Sequence, residues 1–310
     1  MTRLRVVVVG AGPMGRLHAR TVARSAERDG DCVLAQVVDR HLARAAALAA
    51  EFGGEAVDDL RRLDEVDAAI VAVPTAAHVE IALAVVEAGR DVLVEKPLAL
   101  DVARGEVLVA RSEALGRILQ VGHVEWYNPR WREALARAGV PRRIRVERLH
   151  PASERGLDVD VVQDLMLHDL DWVIRAVGEE VVSLAARGAT GATGALDVAS
   201  VELRFRSGCI ASLHASRIHA RRVRRLEVEG SHGKVEVDLL APGGPDGASG
   251  ALDPLAIQWR RFVEAVSKHA RPENDGRVGL AALRFVERVR AQIRAAGAEA
   301  IGADDPLLRG

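Results

Sequence analysis

Between residues 4 and 122, short apolar and β-branched runs alternate with longer stretches in which apolar positions recur every three to four residues. Leu4–Val9, Cys32–Val38, 68–73, Asp91–Val94 and 118–121 read as strands; 14–28, 41–51, 77–88 and 101–114 read as helices. Strict alternation of the two predicts a parallel sheet. Unbroken runs such as Val6-Val7-Val8-Val9 predict strands covered by helices on both faces. The N-terminus is basic and then apolar, as a secretory leader is. Its apolar run is too short, however, and ends in a glycine turn without a small-residue cleavage site, so Leu4–Val9 is expected to be a buried strand.

Beyond residue 122 the pattern changes. Asn128-Pro129 predicts a helix start, with Asn as N-cap and Pro at the first helical position. A strand at 143–149 and a helix at 161–177 follow. Strand-like runs come next at 181–189, 196–206, 209–219, 223–230 and 233–240, and short turns such as Arg206-Ser207-Gly208 predict antiparallel pairing. Segment 241–251 reads as a loop, and amphipathic patterns at 253–270 and 277–295 close the chain. No internal repeat is visible. The expected fold is α/β: a doubly wound parallel Rossmann sheet over residues 1–122, then an α/β domain with a mostly antiparallel open sheet over 123–310.

Composition narrows the function classes. A chain of 310 residues, 49% hydrophobic, exceeds the usual reach of one core and has enough apolar residues for two. A net charge of -1 argues against a general nucleic-acid binder. No stretch approaches the roughly 18 apolar residues of a membrane span. Cys32 and Cys209 lie far apart in apolar, strand-like runs, which suggests neither a disulfide framework nor a metal knuckle and fits a reducing, cytoplasmic setting.

The candidate chemistry begins at Gly10-Ala11-Gly12-Pro13-Met14-Gly15, which follows a buried strand and opens a helix, the context that a dinucleotide fingerprint requires. Gly10 permits the tight turn, Gly12 lets backbone approach a pyrophosphate, Gly15 allows close helix packing, and the helix start attracts the anion. Asp39, at the end of the second strand and 24 positions past Gly15, is placed to accept hydrogen bonds from a ribose. A 2′-phosphate would meet its charge, so NAD is favoured over NADP; a guanidinium at Arg40 leaves NADP open.

Glu95-Lys96-Pro97 stands at the C-terminal end of a parallel strand, the edge where open α/β sheets bind ligands. Pro97 directs Lys96 towards extended backbone. The plainer reading, a solvated lysine, competes, but Lys96 is one of three lysines and interrupts an apolar run. Asp164 and His168 stand i and i+4 on a helix, where a carboxylate can orient an imidazole that acts as general base. Two other readings stay open, a structural polar pair and a metal site with Asp171. No Cys or second close His completes a zinc set, so no metal is expected.

Taken together, GAGPMGRLHA with His18, Val73-Pro74-Thr75 with His78, EKP at 95–97, GHVEWYNP at 122–129 and the Asp164/His168 pair resemble the Gfo/Idh/MocA oxidoreductases along most of the chain. The resemblance implies Lys96, Asp164 and His168 as the catalytic group. It also implies a cofactor surface of Gly10, Gly12, Pro13, Met14, Gly15, Asp39, Arg40, Val73, Thr75, His78, Glu95, Lys96 and His123. A homodimer or homotetramer through the C-terminal sheet is implied as well. The runs VGHVEWYNP, DVDVVQDLMLHDLDWV and DVASVELRFRSGCIASLHASRI look like members that oxidise C3 of a UDP-N-acetylhexosamine, in some bacteria for amino-modified lipid A. On that likeness Trp126, Tyr127, Asn128, His150 and Arg217 join Lys96, Asp164 and His168 near the substrate. Trp126 stands where those relatives commonly have Arg, and His150 and Arg217 read equally well as ordinary strand residues. Two rivals remain: a free-sugar or cyclitol dehydrogenase, and a non-catalytic NAD-binding sensor.

Overall fold

The computed structural model describes residues 3–152, 159–191, 195–241 and 253–300, with no side-chain description at 299–300. The N-terminal strands and helices are β1 (Leu4–Val9), α1 (Pro13–Asp29), β2 (Cys32–Val38), α2 (Leu42–Phe52), β3 (Glu55–Val57), β4 (Ala68–Val71), α3 (His78–Glu87), β5 (Asp91–Val94), α4 (Val102–Ala114) and β6 (Leu119–Val121). Their six strands form one parallel sheet in the order β3-β2-β1-β4-β5-β6, the dinucleotide-fold order with its reversal point between β1 and β4. Val6, Val7 and Val8 are wholly buried, as an apolar strand covered on both faces must be. Most ends lie within a residue or so of the sequence reading, but two differences matter more. The strand expected at 68–73 ends at Val71, because the chain leaves the sheet there to form the loop that carries Thr75. β3, only three residues long, is too short to display a period.

The later elements are α5 (Pro129–Ala138), β7 (Pro141–Leu149), a π-helical turn (Val162–Met166), α6 (Leu167–Val177), β8 (Val181–Thr190), β9 (Leu196–Phe205), β10 (Ile210–Ser216), β11 (Val223–Gly230), β12 (Gly233–Asp238), α7 (Pro254–Lys268), α8 (Gly276–Ala296) and β13 (Glu299–Ala300). Asn128 caps α5 as expected, its side chain accepting from the Arg130 amide at 3.1 Å. The second sheet runs β12-β11-β7-β10-β9-β8-β13. It is mostly antiparallel, but β7 pairs in parallel with β10, and β13 with β8. Short turns dictate the antiparallel hairpins between consecutive strands; they carry no information about β10 docking beside β7. One face of this sheet packs a core in which Trp131 and Trp172 lie 4.4 Å apart between ring centroids. The loop expected at 241–251 falls, after Ala241, outside the described residues.

The chain forms two compact units, Met1–Val124 with Asp253–Ala281, and Glu125–Leu252 with Ala282–Gly310. A linear division at residue 122 does not anticipate this interleaving. Its physical reason is that Trp259, Phe262 and Val266 of α7 are buried in the core of Val6, Val22, Leu34 and Leu93. No helix among the described residues is long and apolar enough to cross a membrane.

Candidate active site

In the first unit, the residues singled out from the sequence gather at the C-terminal ends of β1, β2, β4, β5 and β6. Gly10 has φ +102° and its amide donates to the Val38 carbonyl at 2.7 Å; a Cβ there would stand 2.4 Å from the Ala72 carbonyl oxygen. At Gly15 a Cβ would stand 1.7 Å from the Gly10 oxygen, so only glycine lets α1 sit this close to the turn. Gly12 is different: a Cβ there would meet nothing within 4 Å. The open space beside Gly12 is available to a ligand. Helix α1 starts with Pro13, has no side-chain cap and carries no acid in its first turn, which leaves its N-terminal amides and positive dipole end to an anion. The site therefore fits a dinucleotide pyrophosphate.

Asp39, half-buried, accepts from the Ala11 amide at 2.9 Å through one oxygen and from the His41 amide at 2.9 Å through the other. Each oxygen keeps a lone pair for a ribose hydroxyl. Arg40 is exposed, and Met14 is 38% exposed beside the turn. The loop after β4 brings Val73 and buried Thr75 to the same edge. His78, at the start of α3, places one ring nitrogen 2.7 Å from the Pro97 carbonyl and the other 2.9 Å from the Val73 carbonyl, tying the β4 loop to the residue after Lys96. Lys96 follows β5 and is half-buried. His123 is buried after β6, and its carbonyl accepts from the Asn274 side chain at 2.9 Å.

Glu95 was nominated as a cofactor contact; its carboxylate is buried and turned to protein partners. His18 Nε2 donates to it at 2.7 Å, and the Lys96 amide at 3.1 Å. Burial pushes the Glu95 pKa upward, but the His18 ring, the charge of Lys96 and the Lys96 amide outweigh burial and hold it below the ordinary value. The pairing is invisible in sequence because 77 positions separate its members. The sequence marks each member separately, His18 in GAGPMGRLHA and Glu95 in EKP, with nothing to join them.

In the second unit, Asp164 lies within the π-helical turn and His168 in the first turn of α6, so the expected single α-helical run is interrupted by i+5 pairing, which includes the bond from the Leu167 amide to the Val162 carbonyl. The face nevertheless survives: over residues 161–173 Asp164 and His168 alone escape full burial. The Asp160 carboxylate accepts from the Val162 and Gln163 amides at 3.1 and 3.0 Å, and Arg290 clamps both Asp160 and the Gln163 side chain at 2.6 and 2.7 Å. Asp169, next to His168, forms a buried fork with Arg148 at 2.6–3.0 Å. Arg148 approaches Glu125 at 3.7 Å; Glu125 also pairs with Arg224 and accepts from Asn128 at 3.2 Å. This network of four charges links the turn bearing Trp126, Tyr127 and Asn128 to the helix bearing His168. None of the four was nominated from sequence, since each looks like an ordinary surface charge until the strands pair.

Trp126 is half-buried, with the Arg175 guanidinium 3.6 Å from its ring centroid and Arg132 at 5.3 Å. Tyr127 and Asn128 are buried. His150 and Arg217 sit at adjacent ends of the parallel pair β7–β10: the His150 amide donates to the Ser216 carbonyl at 2.7 Å, while Arg217 pairs with Asp197 at 2.6 Å and donates to the Val159 carbonyl at 2.7 Å.

Parallel order, glycine turn, uncapped helix and carboxylate at the end of β2 define a dinucleotide-binding domain. Comparison with known proteins agrees. Residues 4–123 match the profile of an oxidoreductase family with an NAD-binding Rossmann fold, and residues 109–236 match the GFO/IDH/MocA C-terminal domain. The chain is 32% identical to the UDP-N-acetylglucosamine 3-dehydrogenase of Acidithiobacillus ferrooxidans, over 95% of this chain and 99% of that protein. A solved structure of that enzyme superposes with a TM-score of 0.82. This chain is also 32% identical to the myo-inositol dehydrogenase Hyg17 of Streptomyces leeuwenhoekii over 86% of each, and 28% identical to the inositol 2-dehydrogenase of Rhizobium meliloti over 92% of this chain and 95% of that protein. The chain belongs to the GFO/IDH/MocA family of oxidoreductases and is an enzyme of that class.

Proposed function

We propose that this protein is an NAD-dependent dehydrogenase that oxidises a sugar hydroxyl to a ketone, with C3 of a UDP-N-acetylhexosamine as the position attacked. The observation that carries this reading is the 32% identity to a UDP-N-acetylglucosamine 3-dehydrogenase across 95% of the chain. The first unit holds the dinucleotide on Gly10–Gly15 and Asp39; the second supplies substrate contacts and, through its open sheet, the surface of a homo-oligomer. That open face is charged, with Arg145, Glu147, Arg225 and Glu227 on neighbouring strands β7 and β11. The preference for NAD over NADP is supported by the carboxylate of Asp39 at the end of β2, whose negative charge would oppose a 2′-phosphate.

Bound NAD supplies the hydride acceptor. The protein's part is proton handling: His168 takes the proton of the reacting hydroxyl, Asp164 orients the imidazole, and the Lys96 ammonium donates a hydrogen bond to the same oxygen and limits the charge that builds on it. A second reading, oxidation of a cyclitol, is favoured by the inositol dehydrogenases among the relatives.

The test is NADH formation from NAD, with NADP in parallel, across UDP-N-acetylglucosamine, UDP-glucose, glucose and myo-inositol, with a carbonyl trap to draw off the ketone. Turnover confined to UDP-N-acetylglucosamine supports the proposal; turnover of myo-inositol alone transfers the assignment to the second reading. Lys96→Met is expected to lower kcat roughly 10²-fold while NAD still binds.

A further inference from the structure

Behind Lys96 lies a buried acid–base pair that the mechanism above does not use. Glu95 is 7% exposed and His18 1% exposed, with 2.7 Å between His18 Nε2 and the carboxylate. His18 belongs to α1, one turn past Gly15, so the pair joins the helix of the pyrophosphate turn to the end of β5. The second carboxylate oxygen accepts the amide of Lys96 at 3.1 Å. Gly122, after β6, completes the seat: a Cβ there would stand 2.9 Å from that oxygen. The charge of this carboxylate is therefore flanked by a ring from α1, the amide of Lys96 and a glycine whose missing side chain makes room for it.

Resting on the dehydrogenase reading, we propose that Glu95 is a positioning residue: braced by His18 against the cofactor-binding helix and seated on Gly122, it fixes the backbone of Lys96 and so the origin of the lysine side chain. Small displacements of a group that must meet a reacting oxygen are costly in rate and cheap in binding. His18 and Glu95 act on the reaction through Lys96 and touch no reacting atom.

The experiment compares wild type, Glu95→Gln, Gly122→Ala, His18→Ala and His18→Gln. Glu95→Gln removes the charge; Gly122→Ala leaves both members of the pair in place but pushes the movable end of Glu95 aside, so the inference stays testable if the first variant folds poorly. Expected are losses in kcat on the order of tenfold to a hundredfold for Glu95→Gln and Gly122→Ala, with KM for the sugar and Kd for NAD within about threefold of wild type. His18→Gln, which keeps a donor, should recover much of what His18→Ala loses. A second readout needs no turnover. The chain has three lysines, Lys96, Lys234 and Lys268, so 15N-lysine labelling gives three amide signals. The Lys96 signal should move in Glu95→Gln and Gly122→Ala while the other two stay. Unchanged kcat, losses confined to KM or NAD affinity, or an unmoved Lys96 amide would overturn the proposal. If wild type oxidises no sugar, it is the dehydrogenase reading that fails, and the amide signal alone decides whether the brace exists.

Discussion

At the residue scale, Lys96, Asp164 and His168 stand out in the sequence because each breaks or repeats a local pattern: Lys96 interrupts an apolar run, and Asp164 and His168 recur at helical spacing; their catalytic roles are the proposal made above. The partners that hold these residues were not legible, because Arg148 and Asp169, or His18 and Glu95, meet only when distant segments pack. Burial pushes the thiol of Cys32 up to about 12 and that of Cys209 up to about 11, so neither should react with a thiol reagent in the native protein near neutral pH, and both should react after denaturation. Glu95 has a pKa below its ordinary 4.5 in the folded state. A depressed carboxylate contributes stability that is fully present above the unfolded value and is lost as pH falls through the folded value. The Tm advantage of wild type over Glu95→Gln should therefore be level near neutral pH and shrink below about pH 4; an advantage independent of pH would contradict it.

At the element scale, β1, β2 and β5 match their expected bounds because continuous apolar runs between turn residues leave little freedom. The π-helical turn at Val162–Met166 was missed, since the apolar pattern of 161–177 satisfies an α-helix equally well. The glycine turn offers a separation of structure from function. Gly15→Ala places a Cβ against the Gly10 carbonyl and should lower Tm as well as NAD affinity. Gly12→Ala meets no protein atom within 4 Å, so Tm should stay within about a degree while NAD affinity falls, on the order of tenfold. Calorimetry of both variants, with and without NAD, checks this; equal loss of Tm in the two would remove the distinction.

At the scale of the molecule, the fold class was readable from alternation and then hairpins, but the interleaving of the two units was not: whether α7 returns to the first core is decided by where Trp259 and Phe262 find apolar surface. The parallel docking of β10 beside β7 is likewise a long-range choice that no turn records. The open sheet should make the protein an oligomer. Light scattering is expected to give a dimer or tetramer, and a reversal of charge at Arg145 and Arg225 should shift it towards monomer; a wild-type monomer would contradict the sheet assignment.

A dehydrogenase of this kind transfers hydrogen directly from a sugar carbon to NAD. UDP-N-acetylglucosamine carrying deuterium at C3, incubated with the enzyme and NAD, should yield NADH with deuterium at C4 of the nicotinamide, read by mass spectrometry and NMR. Unlabelled NADH, or no NADH from this substrate while NAD is measurably bound, would contradict it.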